Sequence, residues 1–524
     1  MAEETWHVAR LIPTSGISGA EEQERRATSA LLAVMAAVKE FARTLTAPMG
    51  APAGQVETFI EVPFMLGERK LFPDGLIRIT RGSRRWVTLV EVKTGSNQLE
   101  PNQLEAYLDI AREQGFDSVL TISNEIPAMA GTHPTAVDKR KLKKVALHHL
   151  SWTQVLTEAV MQKVHRGVAD PDQAWILGEL IRYLEHPRSG AMEFEDMGAS
   201  WVPVREAVTA GTLRPSDKGA AEVASRWDQL MRYVCLRLGR RLGVEVQPVI
   251  SRKELTEPGL RGQALVAALA ANGRLDGALR IPNTVGPITI TADLRVGRVT
   301  ASTEIDAPRE GRALTRVNWL VRQLKAAPDS LRVDCFALHA RGASTSELLR
   351  DVRENPSLLV ADPKREPRTF RLALTGPMGT KRGQGRGSFV GSVLDLLDAF
   401  YESTVQTVKP WAAAPPKLRT EPEETPAGVA PQLVSTSLSS QDGAVATTTE
   451  STADEPATSD NEGERHGIES IDASVEPDSL TRAEPSTGGR ETTSAASPLA
   501  PVPASTDPAH AVEGGLDDAG ENDF

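Results

Sequence analysis

Two short segments near the start of the chain place charged side chains in apolar surroundings, Phe72-Pro-Asp-Gly75 and Val90-Glu-Val-Lys-Thr94. Because residues i and i+2 of a strand share a face, Glu91 and Lys93 should point the same way. A strand this apolar is expected to be buried, where an unpaired carboxylate or ammonium is costly. The two charges therefore need either mutual pairing or a metal ion and a polyanion, and a short hairpin would let Asp74 join Glu91 around one ion.

The elements that carry these side chains alternate between helix and strand in the predicted order α-β-β-β-α-β. Apolar residues recur at helical spacing from Leu31 to Leu45 after an acidic start, which predicts the first helix. Alternating and β-rich runs predict the strands that follow. The predicted segments after the first helix are strands Val56–Phe64, Leu71–Thr80 and Trp86–Val92, helix Leu99–Gln114 and strand Ser118–Ser123.

The predicted helix adds Gln103 and Tyr107, whose i,i+4 spacing places both side chains on one face. The chain resembles the PD-(D/E)XK phosphodiesterase superfamily, and within it the RecB-like branch with its Q-x-x-x-Y helix. The resemblance lies in the order of elements and in three motifs, Pro73-Asp74, Glu91-Val92-Lys93 and Gln103…Tyr107. The resemblance covers roughly residues 20–125 and implies a restriction-endonuclease-like core. The middle and C-terminal parts of the chain have no counterpart in it.

The resemblance implies a metal-dependent nuclease that hydrolyses phosphodiester bonds of nucleic acid, with DNA as the expected substrate. Asp74 and Glu91 would ligate Mg²⁺ or Mn²⁺, with the Val92 carbonyl as a further ligand, which suits the preference of these ions for hard oxygen donors. Lys93 would orient the attacking water or help to deprotonate it, and would offset charge that develops in the transition state.

Further residues of the site are implied in the same way. Gln103 and Tyr107 would position the substrate strand or the lysine. An acidic residue of the first helix would complete the site, and among Glu21, Glu22 and Glu24 we favour Glu24. Acidic residues at a helix N-terminus are also expected from the helix dipole alone, so this assignment has an ordinary alternative.

Each motif also has a structural explanation that needs no catalysis. Glu-x-Lys on a strand is common as a solvated charge pair, and an aspartate after proline is most often a turn residue. Gln and Tyr at i,i+4 occur on any helix. The alternative to a nuclease is therefore a catalytically inactive protein of the same fold that binds nucleic acid or acts as a scaffold.

Charge is distributed unevenly along the chain. The 524 residues include 59 Lys and Arg against 70 Asp and Glu, a formal net charge of −11. Residues 411–524 contain 22 acidic and five basic side chains, so this segment carries −17 and residues 1–410 carry +6. The positive charge of residues 1–410 is compatible with a polyanionic partner, which the overall net charge of −11 would not suggest. The acidic segment has too few apolar residues to offset the entropy of ordering, which predicts disorder.

Four segments are predicted: an α/β nuclease-like domain over residues 1–165, a helical connector over 166–242, an α+β domain over 243–408 and a disordered acidic tail, rich in Pro, Ser, Thr and Ala, over 409–524. The first ends with a basic helix near Asp138–Lys144, a strand over Val145–Trp152 and a helix over Gln154–Lys163. The connector is helical over Gln173–His186 and Ala220–Leu242. The role of the α+β domain is open, and a separate protein partner could bind through it.

Apolar periodicity predicts the elements of the α+β domain. Its predicted strands are Glu245–Ser251, Asp276–Ile281, Pro287–Leu294, Arg298–Ile305, Arg332–His339 and Arg368–Thr375, and its predicted helices are 310–327, 345–354 and 390–405.

Basic residues that could contact a phosphate backbone occur in several places. Arg81, Arg84 and Arg85 lie at the predicted hairpin before the Glu91 strand, and a second run covers Lys139–Lys144. A solvated surface charge run is an equally good explanation of each. The loop Gly379–Ser388 could cradle an anion at a helix N-terminus, although it lacks the Walker pattern and a flexible surface loop is the simpler expectation.

The sequence gives little support for other classes of protein. It lacks the H-E-x-x-H, C-x-x-C, G-x-S-x-G and G-x-G-x-x-G motifs. Its two cysteines, Cys235 and Cys335, lie in apolar runs and are expected in packed cores, which fits a reducing cytoplasm. No run approaches the ~18 apolar residues of a membrane span, and Met1-Ala-Glu-Glu does not resemble a signal peptide, so we expect a cytoplasmic protein without a membrane partner.

Overall fold

The computed structural model of the protein describes residues 7–8, 11, 20–127, 131–413 and 415. Contacts between residues divide the chain into a unit from Met1 to Thr420 and a second unit from Glu421 to Phe524. The second unit lies outside the described residues, as does most of the predicted disordered tail. The described part is mixed α/β and contains two large sheets and a small hairpin, so the predicted fold class is confirmed at this level.

Six strands of the N-terminal half form one sheet in the order β1-β2-β5-β6-β7-β8. The first four strands of that order pair antiparallel, and the last three pair parallel. The elements of this half are β1 (His7–Val8), α1 (Ala20–Ala37), α2 (Lys39–Thr46), β2 (Gln55–Ile60), β3 (Phe64–Leu66), β4 (Arg69–Leu71), β5 (Gly75–Arg81), β6 (Arg84–Val92), α3 (Pro101–Gln114), β7 (Ser118–Ser123), β8 (Ala146–Ser151), α4 (Trp152–Val160) and α5 (Pro171–Glu185).

Strand β6 is almost continuously apolar because helices cover both faces of the sheet. Val90 and Val92 are buried in the core formed with α1, α2, α4 and α5. Leu89 belongs to the core on the opposite face, where it packs with Leu108 of α3. Glu91 lies between the two valines and therefore points to the α3 face, as its spacing predicts.

The predicted order of helices and strands is confirmed for the main sheet, with differences in detail. The predicted first helix breaks at Val38, whose backbone is extended (φ −111°, ψ 92°), and the break lets α1 and α2 contribute to the same core. Strand β2 ends where Glu61 adopts a positive φ of 50°. The residues from Phe64 to Leu71 then form the separate β3–β4 hairpin, which the sequence did not indicate.

The predicted basic helix near Asp138–Lys144 was wrong. Only a single 3₁₀ turn forms there, over Lys141–Lys143. The segment has one large apolar side chain, Leu142, and that side chain is exposed, so there is no apolar face that could hold a helix against the sheet.

Seven strands of the C-terminal half form an antiparallel sheet in the order β14-β13-β15-β12-β11-β10-β9. Strands β10, β11 and β12 alternate between buried and exposed residues, so one face of the sheet is packed and the other is solvated. The elements are α6 (Trp201–Ala210), α7 (Lys218–Leu242), β9 (Gln247–Pro248), α8 (Arg252–Thr256), α9 (Pro258–Asn272), β10 (Arg274–Arg280), β11 (Ile288–Asp293), β12 (Arg298–Asp306), α10 (Ala313–Gln323), β13 (Arg332–Ala337), β14 (Thr345–Leu348), α11 (Leu349–Glu354), β15 (Pro367–Pro377) and α12 (Phe389–Phe400).

Three expectations for this half were incomplete. Helix α9 was not foreseen, because its alanine-rich sequence has little contrast between an apolar and a polar face. The predicted strand Glu245–Ser251 shortens to β9, where Pro248 lacks the amide that a longer ladder needs. The predicted helix 345–354 starts as strand β14, because its first residues pair with the edge of β13.

The core of the C-terminal half contains α6, α7, α9 and α12 on one face of the sheet. Cys235 and Cys335 are both buried there as free thiols, as the sequence predicts. Among the described helices, none combines the length and apolar character that crossing a membrane would require. The predicted boundaries of the four segments stay predictions.

Replacing Gly75 by alanine tests the close packing at the start of β5. An added Cβ would lie 2.5 Å from Cδ1 of the buried Leu32 and 3.2 Å from the Phe59 carbonyl oxygen. We expect Gly75→Ala to lower the free energy of unfolding by about 1 to 3 kcal/mol, as overpacking does. Urea unfolding of wild type and variant measures this.

The control is Gly262→Ala in α9, where an added Cβ meets no atom within 4 Å. Alanine should raise helix propensity there and stabilise the protein by roughly 0.5 to 1 kcal/mol. Equal midpoints for the two variants would contradict the packing argument.

Candidate active site

Asp74 and Glu91 meet because β5 and β6 pair antiparallel. Gly75 lies opposite Val90 in the ladder, so the residue before Gly75 lies opposite the residue after Val90. The Val92 amide donates a hydrogen bond of 2.8 Å to Asp74 Oδ2. The sheet itself therefore holds the two carboxylates together, and the predicted juxtaposition is confirmed.

Lys93 is fixed at both its backbone and its side chain. Its amide donates to the Ile122 carbonyl (2.8 Å), and its carbonyl accepts a hydrogen bond from Trp152 Nε1 (2.9 Å). Its Nζ lies 2.8 Å from Glu91 Oε1 and 3.5 Å from Glu24 Oε2. The lysine therefore bridges the strand carboxylate and a carboxylate of α1.

Of the two candidate acids of the first helix whose side chains the structure describes, Glu22 and Glu24, it is Glu24 that reaches Lys93. Its Oε1 accepts hydrogen bonds from Asn97 Nδ2 (2.7 Å) and from the Thr94 amide (3.3 Å). Glu22 pairs with Arg26 on the same helix, and the side chain of Glu21 lies outside the described residues. Glu24 thus joins α1 to the loop that follows β6.

Burial dominates the electrostatics of the site. It raises the pKa of Glu91 to about 8, and the charge of Asp74 adds to the rise. Burial also raises the pKa of Asp74. For Lys93, burial alone would lower the pKa, but the facing carboxylates of Glu91, Asp74 and Glu24 together raise it. Three carboxylates thus share one ammonium group, which leaves an excess of negative charge when all are ionised.

The donor set suits a hard divalent cation. Glu91 is 1% exposed, and although Lys93 lies beside it, neither carboxylate oxygen accepts a well-directed hydrogen bond within the described chain. Oxygen ligands and excess negative charge are what Mg²⁺ and Mn²⁺ prefer. Among the described residues, however, no three His, Cys, Asp or Glu side chains are already arranged around one point. The Val92 carbonyl as a ligand stays a prediction.

Tyr107 and Gln103 lie at the site, where Tyr107 forms a hydrogen bond to the turn before Asp74 and Gln103 forms one to Tyr107. The Tyr107 hydroxyl donates to the Phe72 carbonyl (3.3 Å), and Gln103 Nε2 donates to the Tyr107 oxygen (3.1 Å). Tyr107 is 3% exposed, and burial together with the charge of Glu91 raises its pKa, so the phenol stays protonated. These contacts hold the turn before Asp74, and direct contact with substrate stays a prediction.

Arg81, Arg84 and Arg85 are not brought to the site. Arg81 pairs with Arg84 at the hairpin between β5 and β6. Glu91 lies at the other end of β6, roughly 20 Å away at ~3.3 Å per residue. The three arginines are exposed, and their contact with a substrate phosphate stays a prediction.

The sequence did not reveal a polar row that extends from Glu91 across the sheet. Parallel pairing places Thr121 of β7 beside Glu91, and His149 of β8 beside Thr121. Thr121 Oγ1 lies 2.8 Å from both His149 Nδ1 and His133 Nε2. Neighbours in a parallel register share a face, so these groups lie on the α3 face with Glu91. No local pattern could have found them, because register is not a local property.

One end of this hydrogen-bond chain fixes the state of His149. The Glu125 carbonyl can only accept, so His149 Nε2 donates to it (2.8 Å). Burial lowers the pKa of His149 to about 4, so in the neutral ring Nδ1 is an acceptor for the Thr121 hydroxyl. At the other end, His133 Nδ1 lies 2.9 Å from the Thr135 carbonyl and 3.0 Å from the Thr135 amide. The chain fastens Glu125, His133 and Thr135 to the sheet beside the carboxylates.

Comparison with known proteins assigns no family to this chain. No model of a protein family matches it, and neither a curated protein nor a solved structure does. The resemblance to the PD-(D/E)XK superfamily therefore depends on the residues quoted above, and the site is judged by its own geometry.

Replacing Glu91 by glutamine tests the electrostatic conflict in metal-free protein. The pKa of Glu91 is about 8 when folded and near 4.5 in an unfolded chain, so between these values the folded state binds more protons and stability falls as pH rises. We expect Glu91→Gln, measured by urea unfolding with EDTA, to flatten most of this decline. At pH 8 the variant should be more stable on the order of 1 to 3 kcal/mol.

Glu100→Gln is the matched control, because Glu100 is exposed at the start of α3 and its side chain makes no capping hydrogen bond. Its pH profile should follow that of wild type. A Glu91→Gln profile that also falls like wild type between pH 5 and 8 would show that Glu91 is not the source of the decline.

A second variant, Thr121→Val, tests the hydrogen-bond chain. Valine preserves shape but removes the hydroxyl that lies 2.8 Å from both His149 Nδ1 and His133 Nε2, at a cost of about 1 to 3 kcal/mol for each ring nitrogen left without a partner. The control is Thr88→Val on β6, which is equally buried and whose hydroxyl bonds only the adjacent Leu89 carbonyl within the described chain. Thermal unfolding at pH 7 should show a clearly larger loss for Thr121→Val, and equal losses would refute the chain.

Proposed function

We propose that this protein is a Mg²⁺- or Mn²⁺-dependent nuclease of the PD-(D/E)XK type that hydrolyses phosphodiester bonds, with DNA as the expected substrate. The observation that carries the proposal is the group where β5 begins and β6 ends. Glu91 is buried with the half-buried Asp74 beside it, Lys93 contacts Glu91, and Glu24 completes the group from α1. The Glu91 oxygens accept no well-directed hydrogen bond, and one ammonium group faces three carboxylates, which supports a further cation among them.

In this proposal Asp74 and Glu91 would hold the metal ion. When bound, such an ion polarises the phosphoryl group and lowers the pKa of a coordinated water. In the hydrolysis, a water oxygen forms a bond to phosphorus, the bond from phosphorus to the leaving oxygen breaks, and the water proton ends on solvent or the leaving oxygen. Asp74 and Glu91 are held in place by the ladder, so little reorganisation is needed to bind the ion.

The ion pairs of Lys93 with Glu91 and Glu24 favour one of its two expected roles. A lysine that remains protonated cannot accept the proton of the attacking water. Its ammonium group can orient that water and offset the negative charge that develops on the phosphoryl oxygens. Glu24 contacts the Lys93 ammonium group and Trp152 bonds the Lys93 carbonyl, so the lysine is held at both ends. Tyr107 supports the turn that carries Asp74.

A protein of the same fold without catalysis is the second candidate. It is favoured by the absence, within the described residues, of three metal-binding side chains already arranged around one point. In that case Lys93 would serve as the permanent cation between Glu91 and Glu24, and the site would be a structural ion pair in a surface that binds nucleic acid or another protein.

Cleavage assays distinguish the two candidates. Linear, circular and single-stranded DNA and RNA are incubated with the full chain and Mn²⁺ or Mg²⁺. We expect metal-dependent cleavage that Asp74→Ala and Lys93→Ala each lower by roughly 100-fold or more, because each removes a group that acts on the transition state. Binding of the same substrates should be retained.

Lys364→Ala is the matched control, because Lys364 is an exposed lysine of the C-terminal half, outside the site and the basic runs, and its cleavage rate should stay within about twofold of wild type. No cleavage by wild type, together with nucleic-acid binding that survives both site variants, would favour the non-catalytic protein.

A further inference from the structure

We propose that a cavity next to the Glu24–Lys93 pair binds one nucleobase of the substrate, so that the strand enters the site with that base unpaired. The inference rests on the proposed nuclease function and specifies the form of its substrate. The cavity measures about 380 Å³, which is in the range of about 300 to 1,000 Å³ of small-ligand sites. Its walls come from residues 95–98, 124–125, 192–196 and 383–384 and from Arg226 of α7.

The cavity shares a wall with the candidate active site. Asn97 lines the cavity, and its side chain donates to the Glu24 carboxylate that also contacts Lys93. The wall begins at Gly95, two residues after Lys93. A nucleotide next to a phosphate at Lys93 would therefore have its base within reach of this cavity.

Asn124 keeps the cavity fixed relative to the site. Its Nδ2 donates to the Gly95 carbonyl (3.0 Å) and the Gly190 carbonyl (2.8 Å), and its Oδ1 accepts from the Met192 amide (2.7 Å). One side chain thus joins the loop after β6, the end of β7 and the segment before α6. A preformed cavity of this kind binds a ligand without the cost of ordering its walls.

Two carboxylates of the lining have oxygens that accept no hydrogen bond from the described chain, although the charge of Arg226 acts on one of them, Glu125. One oxygen of Glu125 is buried without a hydrogen bond, and no hydrogen bond or ion pair links the partly buried Glu195 to any described residue. The other two acidic residues of the wall already accept hydrogen bonds from the protein. Glu193 accepts from the Tyr233 hydroxyl (3.0 Å), and Asp196 accepts from the Gly198 amide (2.7 Å).

The lining also provides donors and a planar group. The Arg226 guanidinium lies over the Phe194 ring, 6.0 Å from its centroid, and its Nη1 bonds only Gln229. Amide side chains of Asn97 and Gln384 complete the wall. The cavity therefore combines acceptors, donors and a flat cation, which together match the mixed donor and acceptor edge and the π face of a nucleobase.

A phosphate group fits this lining less well than a base. The lining carries four carboxylates against one guanidinium group, and this excess of negative charge would repel a phosphate. A base that enters the cavity must leave its stack and its pair, so we expect single-stranded or locally unpaired substrates to be preferred.

The test compares ligands that differ only in the base. Isothermal titration calorimetry on the full chain in EDTA measures binding of the four deoxynucleoside 5′-monophosphates and of deoxyribose 5-phosphate, which lacks a base. We expect at least one nucleotide to bind about tenfold or more tightly than deoxyribose 5-phosphate, a difference of about 1.4 kcal/mol. Glu125→Gln and Glu195→Gln should each reduce that preference, whereas Glu185→Gln, an exposed residue at the end of α5, should leave it unchanged.

The inference is overturned if nucleotides and deoxyribose 5-phosphate bind equally, or if the preference persists in both cavity variants. Hydrolysis of bis(p-nitrophenyl) phosphate with Mn²⁺, a diester without a base, tests the proposed function separately. If hydrolysis depends on Lys93 but no base preference is found, the nucleobase site is refuted and the nuclease function is supported. If a base preference is found without any hydrolysis, the nucleobase site is supported and the nuclease function is refuted.

Discussion

The pairing of the buried Glu91 with the half-buried Asp74, where β5 begins and β6 ends, is the constraint on which the rest of the site depends. Asp74 and Glu91 are held together by the β5–β6 ladder, and Asp74 accepts a hydrogen bond from the backbone of β6 itself. Burying two like charges is unfavourable unless a cation lies beside them. Lys93 supplies that cation within the chain, but burial and the charge of Asp74 still raise the pKa of Glu91.

The surrounding structure is arranged to hold this unfavourable group in place. Trp152 bonds the Lys93 carbonyl, Tyr107 bonds the turn before Asp74, and α1 brings Glu24 to the other side of the lysine. These contacts come from three helices on both faces of the sheet. A site that is costly to bury needs such support, because without it the carboxylates would move toward solvent.

The loop between α5 and α6 links the site to the C-terminal half of the chain. Near its start it bonds Asn124 and Gly95 beside the site. Further along, Glu193 bonds Tyr233 of α7, and the Met197 amide bonds the Arg382 carbonyl in the loop before α12. The α+β half therefore contributes walls to the cavity next to the site, which gives this half a structural connection to the proposed chemistry.

The sequence by itself determined the parts of this protein that depend on local periodicity. The period-2 pattern of β6 placed Glu91 and Lys93 on one face, and the 3.6-residue period placed Tyr107 on the buried side of α3. Its charges and apolar positions also predicted the order of elements in the main sheet. Where periodicity was weak, as in α9 and the Asp138–Lys144 segment, the prediction failed.

Only the tertiary structure decided which distant residues meet at the site. The register of β7 and β8 set Thr121 and His149 in line with Glu91, and the docking of α1 selected Glu24. The length of β6 placed the Arg84 hairpin far from the carboxylates. Register and helix docking result from the packing of side chains far apart in the chain, and no local pattern records that packing.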